Sequence, residues 1–260
     1  RLVAYFAILG GLTWYLRSRS IRQDASGDPR LTLRMERISA PGMIALALVA
    51  TFASLDLVMS LNPRWSSTMY GVYFFIGSVL AGLAAITLLA LWLRANGRLG
   101  RAVTVEHYHD LGKLLFAFVF FWGYIAFSQY MLIWYANMPE ETQFYMVRQI
   151  GPWAWVSIAL VAVQLLIPFL GLLSRHAKRN LKVLGFWAVW LLAAHLLDMF
   201  WLVMPSAAEP LEPLSLGVVL GLVAGMGGLY LISTARLLAC APLAPVGDPR
   251  LDESLAFENS

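Results

Sequence analysis

One cysteine, Cys240, is all the chain has. An internal disulfide is therefore excluded, as is an iron–sulfur cluster or Cys-rich zinc site held by this chain's own thiolates. Histidine is nearly as scarce. Of the four present, only His195 falls deep within an apolar block, while His107, His109 and His176 sit at block ends. A membrane b-type cytochrome needs paired axial histidines at depth, so haem b is not expected. Lys113, Lys178 and Lys182, the only lysines, also lie at block edges. That argues against a retinal-type protein, whose Schiff-base lysine lies inside the last helix. No HExxH zinc spacing occurs, and no Gly-rich nucleotide loop. Gly225, Gly227 and Gly228 lie within an apolar block, where small residues let helices approach closely. Charge is thin as well: 13% of residues, against about 25% in a soluble domain.

What is present is apolar sequence. Hydrophobic residues make up 60% of the chain and mean hydropathy is +0.69. They gather in blocks of roughly 20 residues, the length that crosses a ~30 Å hydrocarbon core as helix. Helices satisfy their own backbone polar groups in lipid. The ~10-residue alternating segments of a transmembrane β-barrel are missing. The fold expected is all-α, a polytopic transmembrane bundle of seven spans at 2–16, 41–60, 69–93, 111–136, 150–174, 181–203 and 214–238. The first span is short and the chain starts at Arg1, which suggests a piece of a longer protein. Residues 241–260 read as an extended tail.

The net charge of +4 is a matter of topology rather than of nucleic acid. Arg17, Arg19, Arg22, Arg30, Arg34 and Arg37 fill the first connection. Arg94, Arg98, Arg101 and Lys113 flank the third, Arg175, Lys178, Arg179 and Lys182 the fifth, and Arg236 and Arg250 follow the last span. The alternate connections hold only Arg64 and Arg148, with the acids Glu140, Glu141, Glu209 and Glu212 and the aromatics Trp65, Trp134, Tyr135, Trp153 and Trp201, as in an interfacial belt. The basic side, with the C-terminus, is expected to be cytoplasmic.

Ionisable groups at membrane depth are costly and mark functional sites. Asp56, His195 and Asp198 qualify. His195 and Asp198 are three apart and project from one helix face. Together they suit a proton relay or a quinol pocket, and equally an interhelical hydrogen bond. In the fourth span, Lys113, Tyr124, Ser128 and Tyr135 fall along one stripe with Gln129 beside it; their hydroxyls could carry protons or bind a quinone carbonyl, or simply join helices. At the basic end Glu106, His107, His109, Asp110 and Lys113 form a titratable cluster, either a proton entry port at the cytoplasmic mouth or an interfacial cap.

The run HYHDLGKLLFAFVFFWGYIAFSQYMLIWYANMPEET, supported by SLDLVMSLNPRWSSTMYGVYFF and HLLDMFWLVMP, resembles the ActF-type subunit of bacterial alternative complex III, a quinol:cytochrome c oxidoreductase. That is the second of its two polysulfide-reductase-like (NrfD-like) membrane subunits. The resemblance implies that the membrane is the bacterial inner one. It implies about ten transmembrane helices in four-helix bundles, of which seven would be visible here. It implies a non-haem subunit that contributes quinol or menaquinol binding, proton conduction or both, and is not catalytic alone. Iron–sulfur clusters and haem c would sit on partner subunits: an NrfD-like sister, an iron–sulfur subunit, multihaem and monohaem cytochromes c, and in some cases a terminal oxidase. It implies a polar membrane path at Asp56, Tyr124, Ser128, His195 and Asp198, with His107, His109, Asp110 and Lys113 at its mouth. Two other readings stand beside it: a structural scaffold for such a complex, and a secondary transporter. Buried polar residues suit a transporter, but no inverted repeat is visible.

Overall fold

The computed structural model describes residues 1–99, 102–206, 213–240 and 242–258, with backbone only for 213–216. Arg101, Glu209 and Glu212, assigned to connections by sequence, lie outside the described residues. Every regular element among those described is helical.

The first connection is not a loop. Helix α1 (Leu2–Ser26) continues through Arg17, Arg19 and Arg22, and only two residues separate it from α2 (Pro29–Leu57). Three consecutive residues make the turn. Gly27 adopts the left-handed conformation (φ 64°) that closes a helix C-terminus. Asp28 caps the next helix, accepting from the Arg30 N–H at 2.9 Å, and Pro29 supplies the preset φ of a first helical residue. Gln23, buried inside the hairpin, donates to Thr32 Oγ1 at 2.5 Å. The basic residues expected in a loop therefore ride on helix extensions, and Pro41 lies within α2 rather than at its start.

A 3₁₀ turn (Met59–Leu61) leads towards α3 (Met69–Ala95), then α4 (Val105–Ala136), which starts six residues earlier than its apolar run because Thr104 and His107 form a reciprocal cap. Asn137 (φ 49°) ends α4, and Pro139 opens a short helix, α5 (Pro139–Arg148). The fifth span is broken into α6 (Pro152–Val161), a π-helical turn (Ala162–Leu166) and α7 (Ile167–Leu173). Pro168 explains the break: it has no N–H for the carbonyl one turn back, and its ring crowds that turn. The Trp190 indole N–H steps in, donating to the Val163 carbonyl at 2.8 Å. Helices α8 (Arg175–Arg179), α9 (Leu181–Val203), α10 (Pro213–Ala239) and α11 (Leu251–Ala256) complete the order.

Among the described residues six segments are long and apolar enough to cross a membrane: Pro29–Leu61, Met69–Ala95, Val105–Ala136, Pro152–Leu173, Leu181–Ser206 and Gly217–Ala239. The chain is a multi-pass membrane protein. The first of the seven expected spans, 2–16 within α1, is not among these six.

Helices α3, α4, α9 and the broken α6–α7 pack on one another as a four-helix bundle, and the α1–α2 hairpin leans on α3 through α2. The core has two storeys. Near the basic end it is aliphatic, built on Leu80, Leu115, Leu172, Leu184 and Leu191. At the other end it is aromatic, with Trp65, Tyr70, Tyr73, Trp122, Phe144 and Trp201. Trp65 and Trp201, expected in an interfacial belt, are thus core residues: Trp65 stacks on Phe144 with ring centroids 4.1 Å apart. Helix α10 stands apart, with none of its Gly217–Ala239 stretch buried.

The tail is not free either. The Gly247 N–H donates to Asp24 Oδ1 at 2.9 Å, Arg250 pairs with Glu36, and Ser254 Oγ sits 2.9 Å from His107 Nε2. It straps the hairpin to the N-terminal end of α4. Residue 247 must be glycine for this, because a Cβ there would run into the backbone of Gln23 and Asp24.

Candidate functional site

Asp198 is the one carboxylate that is completely buried among the described residues. It lies on α9, one turn beyond His195. Two neighbours hold its two oxygens. Tyr73 of α3 donates its hydroxyl to Oδ1, and Trp122 of α4 donates its indole N–H to Oδ2 at 3.2 Å. No salt bridge to Asp198 is found among the described residues, so these two neutral donors stabilise it. His195 turns to the same place. Gly77 of α3 faces both side chains, and a Cβ on it would touch Asp198 Oδ2 and His195 Nδ1 at 3.5 Å each. His195 Nδ1 is buried with no hydrogen-bond partner among the described residues. The i,i+3 reading of this pair is what the packing shows.

Tyr73 and Trp122 have a second face. Both line a cavity of about 660 Å³ bounded by α3, α4, α5, α6, the π-helical turn and α9. Most of its wall is apolar: Ala126, Phe127, Ile158, Leu160, Val161 and Leu165 among others. Its polar wall residues are few: Tyr73, Tyr130, Tyr145, Arg148, Gln149 and Ser157, with the two indoles of Trp122 and Trp201. A roomy apolar cavity with a few convergent polar groups is the form of a small-molecule site. The π-helical turn contributes Ala162, Leu165 and Leu166, so the irregularity forced by Pro168 shapes the wall directly. Gly123, against which Leu165 packs, keeps α4 and that turn close.

Arg148 is the residue the sequence most misrepresents. Counted among loop charges, it is only 2% exposed. Its guanidinium donates to the carbonyls of Phe144 (2.7 Å), Leu202 (2.9 Å) and Trp201 (3.2 Å), and lies 3.5 Å from the centroid of the Phe144 ring and 4.9 Å from that of Trp201. It therefore satisfies carbonyls at the C-terminal end of α9, where a helix dipole favours a cation. Burial pulls its pKa down to about 10, so it remains charged at neutral pH. Burial also raises the neighbouring Tyr145 hydroxyl above the usual phenol range, keeping it protonated.

The other expected site residues go elsewhere. Asp56 is engaged with Arg1 at 2.8 Å and Tyr5 at 2.7 Å, between α1 and α2, and does not line the cavity. The stripe of Lys113, Tyr124, Ser128 and Tyr135 is on the outer side of α4. Tyr124 is 57% exposed, Tyr135 is 84% exposed, and Ser128 Oγ merely donates back to the Tyr124 carbonyl at 2.7 Å. Gln129 is on the buried side, two turns beyond Trp122. The stripe and the buried face share helical periodicity, and only packing decides which one is inside.

The cluster at the basic end is a set of contacts between elements. Glu106 pairs with Arg179 of α8, Asp110 with Lys113 at 2.6 Å, and His107 Nδ1 accepts from the Thr104 N–H at 3.0 Å. His109 is buried, its Nδ1 unpartnered among the described residues. Lys178 packs over Gly112 and Phe116, and burial followed by the nearby Lys113 lowers its pKa. From His109 to Trp122 is 13 residues of α4, about 20 Å, so this cluster and the Asp198 site are separate.

Sequence reasoning found Asp198 and His195 but missed Tyr73, Trp122, Arg148 and the cavity. One signal was readable: Arg148 is the only basic residue in an aromatic-rich connection, FYMVRQIGPW. A search with protein-family models finds no match for this chain, and a search of curated proteins finds none either.

Proposed function

We propose that this protein is the non-haem membrane subunit of a quinol-oxidising respiratory complex of the alternative complex III type, and that the quinol occupies the cavity beside Asp198. The observation that carries the reading is the junction of two features: an apolar cavity of about 660 Å³ and, behind its Tyr73–Trp122 wall, a completely buried carboxylate. Quinol is an apolar molecule whose oxidation releases two electrons and two protons. It needs an apolar chamber and a nearby group that exchanges protons in a dry setting. Tyr73 and Asp198 supply that group. The electrons leave to iron–sulfur clusters and c-type haems on partner subunits. The basic end faces the cytoplasm of a bacterial inner membrane, as its arginines and lysines favour.

The resemblance carried by residues 106–142 supports the same assignment, since Trp122 and much of the α4 wall lie within it. The test is quinol oxidation by the purified complex. Asp198→Asn lowers turnover by about a hundredfold, the usual scale of a lost acid–base group. His195→Ala lowers it less. Ala126→Phe, which fills the cavity and leaves Asp198 untouched, abolishes quinol binding. Normal turnover in the Asp198 and Ala126 variants together would refute the assignment.

A further inference from the structure

Two of the cavity's polar lining residues, Tyr73 and Arg148, differ in what they offer a ligand. Tyr73 has one hydroxyl hydrogen, and it is committed to Asp198 Oδ1. Trp122 has one polar hydrogen, committed to Asp198 Oδ2. Asp198 thus draws the donors of both wall residues to itself, and what remains of Tyr73 for the cavity is its oxygen lone pairs. A tyrosine that ordinarily donates is made an acceptor. Arg148 is the reverse. A guanidinium carries five N–H donors and accepts nothing. Three of those donors are taken by the Phe144, Trp201 and Leu202 carbonyls, which leaves two. No aspartate or glutamate is among the cavity's lining residues to take them.

An acceptor on one lining residue and donors on another suit a ligand that has both a hydroxyl and an accepting oxygen. A quinol has both, since each of its oxygens can donate and accept. A quinone has only carbonyls, so it can meet Arg148 but finds no hydrogen at Tyr73. We propose that the Tyr73–Asp198 hydrogen bond makes this cavity selective for the reduced form: a quinol hydroxyl donates to Tyr73 Oη while the other quinol oxygen accepts from Arg148. The idea rests on the quinol assignment above and adds to it the residue that reads the redox state. In telling the two redox forms apart, Tyr73 is the residue that touches the ligand, and Asp198, which does not line the cavity, sets the direction of the Tyr73 hydrogen.

The experiment measures binding, separate from turnover. The full chain in lipid nanodiscs is titrated anaerobically with a short-tailed naphthoquinol and, in parallel, with the matching naphthoquinone, and quenching of tryptophan fluorescence is followed. The native chain binds the quinol more tightly by about three- to tenfold, the worth of one net hydrogen bond. Tyr73→Phe removes the acceptor and brings the two affinities together, chiefly by weakening the quinol. Asp198→Asn goes further. Its amide N–H₂ donates to Tyr73 Oη, the Tyr73 hydrogen swings to the cavity, and the preference turns towards the quinone. Should Tyr73→Phe fail to fold, Asp198→Asn alone decides. Binding of both forms by the native chain with no preference, or with preference for the quinone, overturns the selectivity and leaves the quinol assignment standing. A native preference that survives both substitutions likewise overturns Tyr73's role. Binding of neither form overturns the quinol assignment itself.

Discussion

Replacing Arg148 by methionine tests whether a residue counted as a loop charge in fact holds two helices together. Methionine keeps the apolar length of the stem against Phe144 and Trp201 but donates nothing. The carbonyls of Trp201 and Leu202 at the end of α9, now bonded at 3.2 and 2.9 Å, lose this partner. A buried acceptor left unpaired costs about 1–3 kcal/mol. Against the two losses stands one gain, because a cation no longer has to be buried, a cost visible in the lowered guanidinium pKa of about 10. The net expectation is a loss of about 2–4 kcal/mol. For a chain of this size that lowers the unfolding midpoint by roughly 5–15 °C. Arg148→Lys restores the charge but cannot fork to both carbonyls, so it recovers only part of the loss. The assay is thermal unfolding of the purified chain in a mild detergent, followed by tryptophan fluorescence. A methionine variant as stable as the native chain would show that α9 does not depend on Arg148 and that the guanidinium is not what ties the aromatic end together.

Three further outcomes are expected. Gln164 is completely buried with neither amide atom partnered among the described residues, so Gln164→Met should raise stability by about 1 kcal/mol; a drop in the same unfolding assay would mean the amide has a partner that matters. Gly171 lies directly under the Trp187 indole, so Gly171→Ala should cost about 1–3 kcal/mol by forcing α7 and α9 apart. An unchanged unfolding midpoint would contradict that close approach. Gly247→Leu should detach the tail strap from Asp24 without unfolding the bundle: limited proteolysis would cut between 240 and 258 at a faster rate while the fluorescence transition stays in place, and equal cleavage rates would show that the strap does not depend on that contact.

How much was legible in the sequence differs from residue to residue. Asp198 and His195 stood out because an ionisable group inside an apolar block is visible by inspection, and their i,i+3 spacing guarantees a shared face. Tyr124 and Ser128 looked just as good by spacing and face outward instead. A helix has one polar–aromatic stripe for each phase, and nothing local says which phase meets α3 and α9. Tyr73 and Trp122 were invisible for the converse reason: an aromatic residue in an aromatic helix carries no sign that its one polar hydrogen will meet a carboxylate more than 70 residues away in sequence. The Gly27–Asp28–Pro29 turn was readable as a C-cap, N-cap and first-turn proline, yet the charge run around it suggested a loop.

The sequence by itself determined that the chain lives in a membrane as a helical bundle and which end of that bundle is basic. These are properties of composition and of segments about 20 residues long, and they hold whatever the helices pack against. Only the tertiary structure decided that Asp198 is held by Tyr73 and Trp122, that Arg148 is buried, and that a cavity lies between them. Each of those depends on the rotation of one helix about its axis relative to its neighbours. That rotation is fixed by side-chain packing across the bundle: Gly171 under Trp187, Gly123 under Leu165, and the π-helical turn before Pro168. The π-helical turn is local, but the two glycine contacts join different helices, so no single segment contains the rotation.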